Sequence, residues 1–264
     1  GLINPVAIFD PVELEGTTVS RASVHNISIM EELELGVGDR IEVYKANMII
    51  PQIARNLTRS GVRDIPGVCP VCGGATEIRQ EGSAKTLYCT NPSCQAKQIK
   101  SYALFVSRDA MNIEGLSEAT LEKFIARGFI QTYGDLFHLD RHREEIQEME
   151  GFGEKSCQNL IESAERARET TLPRLLYSLG IPGIGVAVAR VICRETKVSP
   201  EALPDLTEEE LSAAPGVGGV IAKAYVDYFE DETHRQVYRE LLREVHIEQE
   251  TADEGGRTLE GTTF

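Results

Sequence analysis

The pattern of apolar residues changes near the middle of the chain. Up to about residue 60, apolar and polar residues alternate in short runs separated by turn signals such as Asp10-Pro11 and Glu15-Gly16. This alternation predicts strands at residues 6–9, 17–24 and 40–45, with a turn at 36–39. A short helix is predicted at residues 28–35. Beyond residue 97 the apolar period is helical, so we expect an α+β protein with a β-rich first part and a helical second part.

Several short strands within about sixty residues favour a small β-barrel. An oligonucleotide-binding (OB) barrel is the leading interpretation, and an SH3-like barrel is the alternative. Gly1 leaves no room for a complete first strand, so we expect this sequence to be a piece of a longer protein.

Two pairs of cysteines separate the β-rich and helical parts, and they are Cys69, Cys72, Cys89 and Cys94. The first pair has two intervening residues, the second has four, and sixteen residues lie between the pairs. This spacing predicts a closed tetrahedral zinc site with a structural role. The alternative is two disulfides of a secreted domain, which the absence of a signal-peptide pattern disfavours. Cys157 and Cys193 lie in apolar-periodic stretches and are predicted to be buried thiols in a reducing compartment.

A repeat of the form x-x-Gly-apolar-Gly marks the helical part. It occurs at residues 149–153, 181–185 and 214–218, and a weaker copy at 113–117 ends in Ser117. The first glycines are 36, 32 and 33 residues apart, which leaves room for one helix on each side of a hairpin. A small residue follows four positions after each second glycine (Cys157, Ala189 and Ala222), whereas the weak copy has Leu121. The repeat predicts four helix-hairpin-helix motifs.

Such hairpins suit the capture of phosphate groups. Glycines permit positive φ and expose backbone N–H groups beside a helix N-terminus, whose partial positive charge attracts anions. This contact involves the DNA backbone and not the bases, so it predicts binding without sequence preference. The candidate residues are Gly115, Gly151, Gly153, Gly183, Gly185, Gly216 and Gly218, with Lys155, Arg190 and Lys223 as phosphate partners. The alternative is a structural helical repeat with solvated surface charges.

The charge of the chain limits how it can bind DNA. The 264 residues carry a net charge of −15, and residues 98–250 hold 17 Lys and Arg against 28 Asp and Glu. A generic polycation that coats nucleic acid is therefore excluded, and any DNA contact must use local geometry. No apolar run reaches membrane length, so we expect a cytoplasmic protein without membrane partners.

The amino-acid sequences of several segments resemble those of the bacterial NAD-dependent DNA ligases. The similar segments are PVA at 5–7, PVEL at 11–14, GTTVSRASVHN at 16–26, GD at 38–39, IP at 50–51, CPVC at 69–72, LGI at 179–181 and LEGTTF at 259–264. The last resembles the first strand of that family's BRCT domain. The chain departs from the family pattern at Asn4, Asn47, Met48 and Thr196.

The resemblance implies an OB-fold at residues 1–66, a four-cysteine zinc finger at 67–97, a helix-hairpin-helix domain at 98–250, and a linker with a truncated BRCT domain at 251–264. It also implies a parent enzyme that seals nicks in duplex DNA during replication and repair, using NAD⁺ and Mg²⁺. The family's nucleophilic lysine lies in a Lys-x-Asp-Gly motif, which is absent from these residues. The fragment is therefore expected to have no catalytic residue, to be inactive alone, and to position the nick for a missing adenylation domain.

The same resemblance places the Arg-Ala-x-x-His-Asn stretch of the barrel against DNA, with Arg21 and His25 as candidates. A strand arginine in a salt bridge and a structurally hydrogen-bonded histidine are the alternatives at these positions. For the whole chain, the alternative is a non-catalytic repair or recombination scaffold. A nuclease subunit is disfavoured because the acidic runs at 208–210 and 230–232 suit solvated helix ends better than a two-metal site.

Overall fold

The structure is a computed structural model that describes residues 1–248. The segment expected to begin a BRCT domain lies outside the described residues. The chain divides into two compact units, Gly1–Gln98 and the residues from Ile99 onward. The first unit holds both the predicted barrel and the predicted cysteine module.

The described residues contain nine strands and ten α-helices. The strands are β1 (Leu2–Ile3), β2 (Val6–Leu14), β3 (Thr17–Ser23), β4 (Ile41–Ala46), β5 (Ile50–Asn56), β6 (Thr76–Glu81), β7 (Ala84–Cys89), β8 (Glu169–Thr171) and β9 (His246–Glu248). The α-helices are α1 (Ile27–Glu32), α2 (Gln95–Val106), α3 (Glu118–Ala126), α4 (Arg143–Gln147), α5 (Glu154–Arg166), α6 (Leu172–Ser178), α7 (Val186–Thr196), α8 (Glu208–Ser212), α9 (Gly219–Glu230) and α10 (Glu232–Glu244). Two 3-10 helices span Gly134–His142 and Pro200–Asp205.

Two antiparallel hairpins form the barrel part of the first unit. Strands β2 and β3 pair from Val6↔Ser23 to Leu14↔Thr17, and β4 pairs with β5. The predicted break at Asp10-Pro11 is wrong, because β2 continues through it with a register shift between Ile8 and Val12. Proline lacks an N–H and is tolerated in a strand at such an irregularity.

The predicted helix at 28–35 forms one residue earlier and ends sooner, as α1. Asn26 caps it, because its Oδ1 accepts a hydrogen bond from Ile29 N at 2.9 Å. Side chains from this helix approach the cysteine module, where Ser28 Oγ donates to Ser83 O at 3.1 Å and accepts from Lys85 N at 2.7 Å.

The third sheet joins the start of the chain to the cysteine module, in the order β1-β7-β6. Leu2 pairs with Tyr88 and Ile3 with Leu87. This pairing brings together residues more than eighty positions apart, which local sequence periodicity does not reveal.

The second unit is helical around one apolar core, with a short parallel pair formed by β8 and β9. Its most deeply buried large side chains include Tyr225, Tyr238, Phe105, Phe124 and Phe229. Tyr225 OH and Tyr238 OH donate to the carbonyl oxygens of Leu203 and Pro200, so their polar ends are satisfied inside the core. The predicted division into a β-rich part and a helical part is confirmed.

Candidate metal centre and nucleic-acid interface

The structure brings the four predicted zinc ligands together. The Sγ atoms of Cys69, Cys72, Cys89 and Cys94 all lie within 4.8 Å of one another. The Cys69–Cys94 and Cys72–Cys89 separations are 4.0 and 3.6 Å. A tetrahedral zinc ion with Zn–S bonds of about 2.3 Å requires S–S separations of about 3.8 Å. The four thiols therefore fit zinc, and they leave no position for a substrate or a catalytic water.

The local sequence orients these sulfur atoms. Cys69 N donates to Gly74 O at 2.7 Å, and Gly73, at φ 68°, reverses the chain between the first pair and β6. Hydrogen bonds from Gly74 N and the Asn91 side chain hold the pKa of the Cys72 thiol well below its usual value. This favours the thiolate, which is the form that binds metal.

The three strong hairpins share one turn geometry. The apolar residue between the glycines donates its N–H to the first residue of the motif: Phe152 to Met149 at 2.9 Å, Ile184 to Ile181 at 3.1 Å, and Val217 to Ala214 at 3.1 Å. The first glycines, Gly151, Gly183 and Gly216, have φ of 89°, 80° and 82°. Glycine at positive φ in the third position, preceded by proline in two of the copies, is the pattern of a type II turn. We name the motifs at residues 113–117, 149–153, 181–185 and 214–218 hairpins 1 to 4.

The second glycines are not needed for the turn. Gly153, Gly185 and Gly218 are helix N-caps with φ of −159°, −84° and −80°, which other residues adopt readily. The expectation of positive φ is therefore wrong for these three. A Cβ atom at any of them would meet no heavy atom of residues 1–248 within 4 Å, apart from its own chain neighbours. Neither backbone conformation nor packing within the chain explains the glycine here.

Backbone donors without a partner among residues 1–248 follow each of these three glycines. Gly185 and Gly218 cap α7 and α9 without a side-chain hydrogen bond, and the first full helical bonds are donated by Ala189 N and Ala222 N. The N–H groups of Val186, Ala187 and Val188 precede that bond in α7, and we find no partner for them among residues 1–248. An anion at this position would complete their hydrogen bonding.

Hairpin 1 differs in its internal bonding. Ser117 replaces the second glycine and caps α3, accepting a hydrogen bond from Thr120 N at 3.2 Å. Glu114 N donates to the buried Ser163 Oγ at 2.8 Å. A Cβ on Gly115 would lie 3.7 Å from Leu160, so this hairpin packs against α5.

The predicted basic partners are all exposed on the helices that follow the hairpins. Arg190 and Lys223 occupy equivalent positions, five residues after the second glycine, whereas Lys155 lies two residues after it. Lys223 Nζ pairs with Asp227 at 2.8 Å, an exposed ion pair that costs little to break. The predicted small residues Cys157, Ala189 and Ala222 are fully buried, as is Leu121 in the weak copy. Cys193 is only partly buried, so the prediction of burial is confirmed for Cys157 alone.

Arg21 and His25 lie in the first unit and are exposed. Arg21 pairs with Ile8 across β2 and β3. His25 follows β3 at φ 63°, and its Nδ1 is 3.5 Å from Ser23 Oγ. Asn47 and Met48, two of the departures from the family pattern, form the β4–β5 turn with φ of 50° and 62°. Met48 is 78% exposed there.

Comparison with known proteins identifies every part of this architecture. Residues 1–64 match the NAD-dependent DNA ligase OB-fold domain, and residues 68–96 match the NAD-dependent DNA ligase C4 zinc finger domain. Residues 107–166 match a SAM-like helix-hairpin-helix tandem, and residues 174–238 match a helix-hairpin-helix motif. The predicted OB-fold and helix-hairpin-helix classes are thereby confirmed, and the zinc is a structural cofactor.

The chain is also similar along its full length to proteins named DNA ligase. It is 58% identical over 264 residues to that of Lachnoclostridium phytofermentans, 55% to that of Ruminiclostridium cellulolyticum, and 36% over 271 residues to that of Thermosipho africanus. It spans 40% of the length of each. The fold and the two sites define a chain built from the OB-fold and zinc-finger domains of NAD-dependent DNA ligases and from helix-hairpin-helix motifs. The chain belongs to the NAD-dependent DNA ligase family. No helix within residues 1–248 is long and apolar enough to cross a membrane.

Proposed function

We propose that this chain is the DNA-binding part of an NAD-dependent DNA ligase that seals nicks in duplex DNA. The hairpins hold the phosphate backbone, the zinc module joins the barrel to the helical unit along the chain, and the barrel approaches the nick through Arg21 and His25. Nicked double-stranded DNA and the adenylation domain of the same polypeptide are the proposed partners, in the cytoplasm.

One observation carries the DNA-binding role. Gly185 and Gly218 are glycines without a conformational or packing reason among residues 1–248, and open space faces each of them. Glycine is selected at such positions when another molecule approaches the backbone closely. In hairpins 3 and 4 the uncapped helix N–H groups lie beside that space, so a phosphate oxygen is the expected ligand.

The test separates folding from binding, because serine is a better helix N-cap than glycine. In Gly185→Ser and Gly218→Ser the new hydroxyl caps the helix and also occupies the space of the phosphate. We expect thermal stability to stay equal or rise, while affinity for a fluorescein-labelled nicked duplex falls about tenfold. Ala126→Ser, at an exposed position of α3 away from the hairpins, is the control. Unchanged affinity in both glycine variants would refute hairpin-mediated binding.

The parent activity proceeds in three steps: a lysine takes AMP from NAD⁺, passes it to the 5′-phosphate of the nick, and the 3′-hydroxyl then displaces the AMP with Mg²⁺ present. The Lys-x-Asp-Gly motif of that lysine is absent from these 264 residues. Incubated with NAD⁺, Mg²⁺ and radiolabelled nicked DNA, the purified chain should bind DNA but form no AMP adduct and no sealed strand.

A separately produced adenylation domain, already charged with AMP, should restore slow joining when it is added to the chain. The rate should be low because tethering supplies an effective concentration on the order of millimolar that free domains lack. An AMP adduct on the chain itself would contradict this assignment. Joining that does not depend on the chain would favour the alternative of a repair scaffold.

A further inference from the structure

The four hairpins carry different charges at equivalent positions. Hairpins 1 and 2 have a glutamate before the first glycine, Glu114 and Glu150, and hairpins 3 and 4 have a proline there. The first helical turn after hairpin 1 contains Glu118, and that after hairpin 2 contains Glu154. The corresponding turns of α7 and α9 contain no acidic residue.

The surrounding sequence shows the same difference between hairpins 2 and 3, but not at hairpin 4, which follows five Asp and Glu at residues 201–210. Residues 140–154, which lead through hairpin 2, contain six Asp and Glu and only two Arg. Residues 170–194, which contain hairpin 3, have three Arg and no Asp or Glu. A polyanion therefore meets repulsion at one hairpin and attraction at the other, within a chain that is acidic as a whole.

Hydrogen bonding at the helix N-terminus sets hairpin 1 apart from the other three, and the N-cap N–H of hairpin 2 has a side-chain acceptor. The Gly153 N–H of hairpin 2 donates to Ser156 Oγ at 2.9 Å, and Ser117 caps the helix after hairpin 1. Glu154 at the first position of α5 already interacts favourably with the positive end of the helix dipole. Within residues 1–248, the N-caps of hairpins 2, 3 and 4 alike make no side-chain capping bond, so the first N–H groups of α5 are as free as those of α7 and α9.

Hairpins 3 and 4 also pack as a pair. A Cβ on Gly183 of hairpin 3 would lie 3.2 Å from Ile221 Cγ1, in the helix that follows hairpin 4. Gly115 and Leu160 make the corresponding, looser contact between hairpin 1 and the helix after hairpin 2. Each pair is therefore one unit, and its two hairpins share the same charge at the position before the first glycine and in the first helical turn.

We propose that the C-terminal pair, hairpins 3 and 4, carries the DNA contact, and that Glu150 and Glu154 prevent hairpin 2 from holding a phosphate. Gly153 has the open geometry of a phosphate site, but the carboxylates of Glu150 and Glu154 outnumber the one cation beside it, Lys155, and repel the ligand. Glu150 and Glu154 thus determine where along the helical unit the duplex is held. The inference rests on the proposed function, because it assigns the proposed DNA contact to particular hairpins.

The same substitution, serine for the second glycine, is made in hairpin 2 and in hairpin 3 to test whether only hairpin 3 of the two contacts DNA. Affinity for a fluorescein-labelled nicked duplex should fall about tenfold in Gly185→Ser and stay unchanged in Gly153→Ser. Equal melting temperatures exclude a folding defect. If Gly153→Ser weakens binding as much as Gly185→Ser, the proposed assignment is wrong.

Charge removal gives the complementary result. Glu150→Gln with Glu154→Gln should tighten binding more than the control Glu169→Gln with Glu230→Gln, which removes the same charge at exposed positions outside the hairpins. Adding Gly153→Ser to the first pair should abolish the gain, because the new phosphate site is then blocked. A gain no larger than that of the control would overturn the inference while leaving the proposed function intact. Failure of the unaltered chain to bind DNA would instead refute the proposed function, and the inference with it.

Discussion

Removal of zinc should disrupt part of the barrel as well as the cysteine module. The buried cluster of the module consists of Cys69, Cys89 and Cys94, with Ile3, Cys72 and Ala96 partly buried around it. So small a cluster cannot hold the segment folded, and the free energy of zinc binding, about 10 to 16 kcal/mol in comparable modules, is its folding free energy. Cys72→Ser or a strong chelator should therefore unfold β6 and β7.

The effect on the barrel follows from the bonds that β7 and its turn make to it. Three of these join the module to β1 and α1: Cys89 N to Gly1 O at 2.8 Å, Ser28 Oγ to Ser83 O at 3.1 Å, and Lys85 N to Ser28 Oγ at 2.7 Å. At about 1 kcal/mol each, their loss costs the barrel about 3 kcal/mol. For a unit of this size, the melting temperature should fall by roughly 10 to 20 °C.

Hydrogen exchange read by mass spectrometry measures this directly. Amides of β1, α1, β6 and β7 should lose protection in the chelator and regain it when zinc is added, whereas amides from α3 onward should not change. Cys193→Ser, which removes a thiol outside the cluster, should leave the zinc content at one equivalent. Full protection of α1 in the zinc-free protein would refute the coupling, and two disulfides without zinc would refute the metal site itself.

Three further predictions concern stability. Gly183→Ala should destabilise the second unit by about 1 to 3 kcal/mol in urea unfolding, because the new side chain stands at positive φ and its Cβ lies 3.2 Å from Ile221. Gly216→Ala is the control, and it should destabilise the unit less because Gly216 has a similar φ and open space around it. Ser163→Ala should cost about 1 to 3 kcal/mol, since it leaves Glu114 N–H without its acceptor, and a Ser163→Thr variant that folds normally would restore the bond. Loss of hydration alone would raise the pKa of Asp39, but hydrogen bonds from Ser60 N and from the Asn56 and Thr58 side chains outweigh it and hold the pKa well below its usual range. The ionised Asp39 carboxylate should stabilise the first unit fully above the usual carboxyl pKa, and this stabilisation should be lost as the pH falls from there through the lowered pKa. Acid unfolding of Asp39→Asn with the same pH dependence as the unaltered chain would contradict this.

The sequence by itself determined the features that depend on spacing along the chain. Two cysteine pairs predicted the four-sulfur cluster, and the glycine repeat predicted the hairpins and the buried small residues Cys157, Ala189 and Ala222, because each involves residues within a few positions of one another. The segments resembling the ligase family were confirmed by the family comparisons. DNA contact by the candidate residues stays a prediction, as do the domain boundaries.

Tertiary structure alone determined which distant residues pair with each other and which backbone groups stay open to a ligand. The pairing of Leu2 with Tyr88 and the bond from Glu114 to Ser163 join residues that are far apart in sequence, and no local period encodes such partners. The two glycines of hairpins 2, 3 and 4 look alike in sequence, yet only the first has positive φ, because the second already belongs to the following helix as its N-cap. The open space beside Gly185 depends on where side chains from distant parts of the sequence lie, and the spacing of residues along the chain does not predict it.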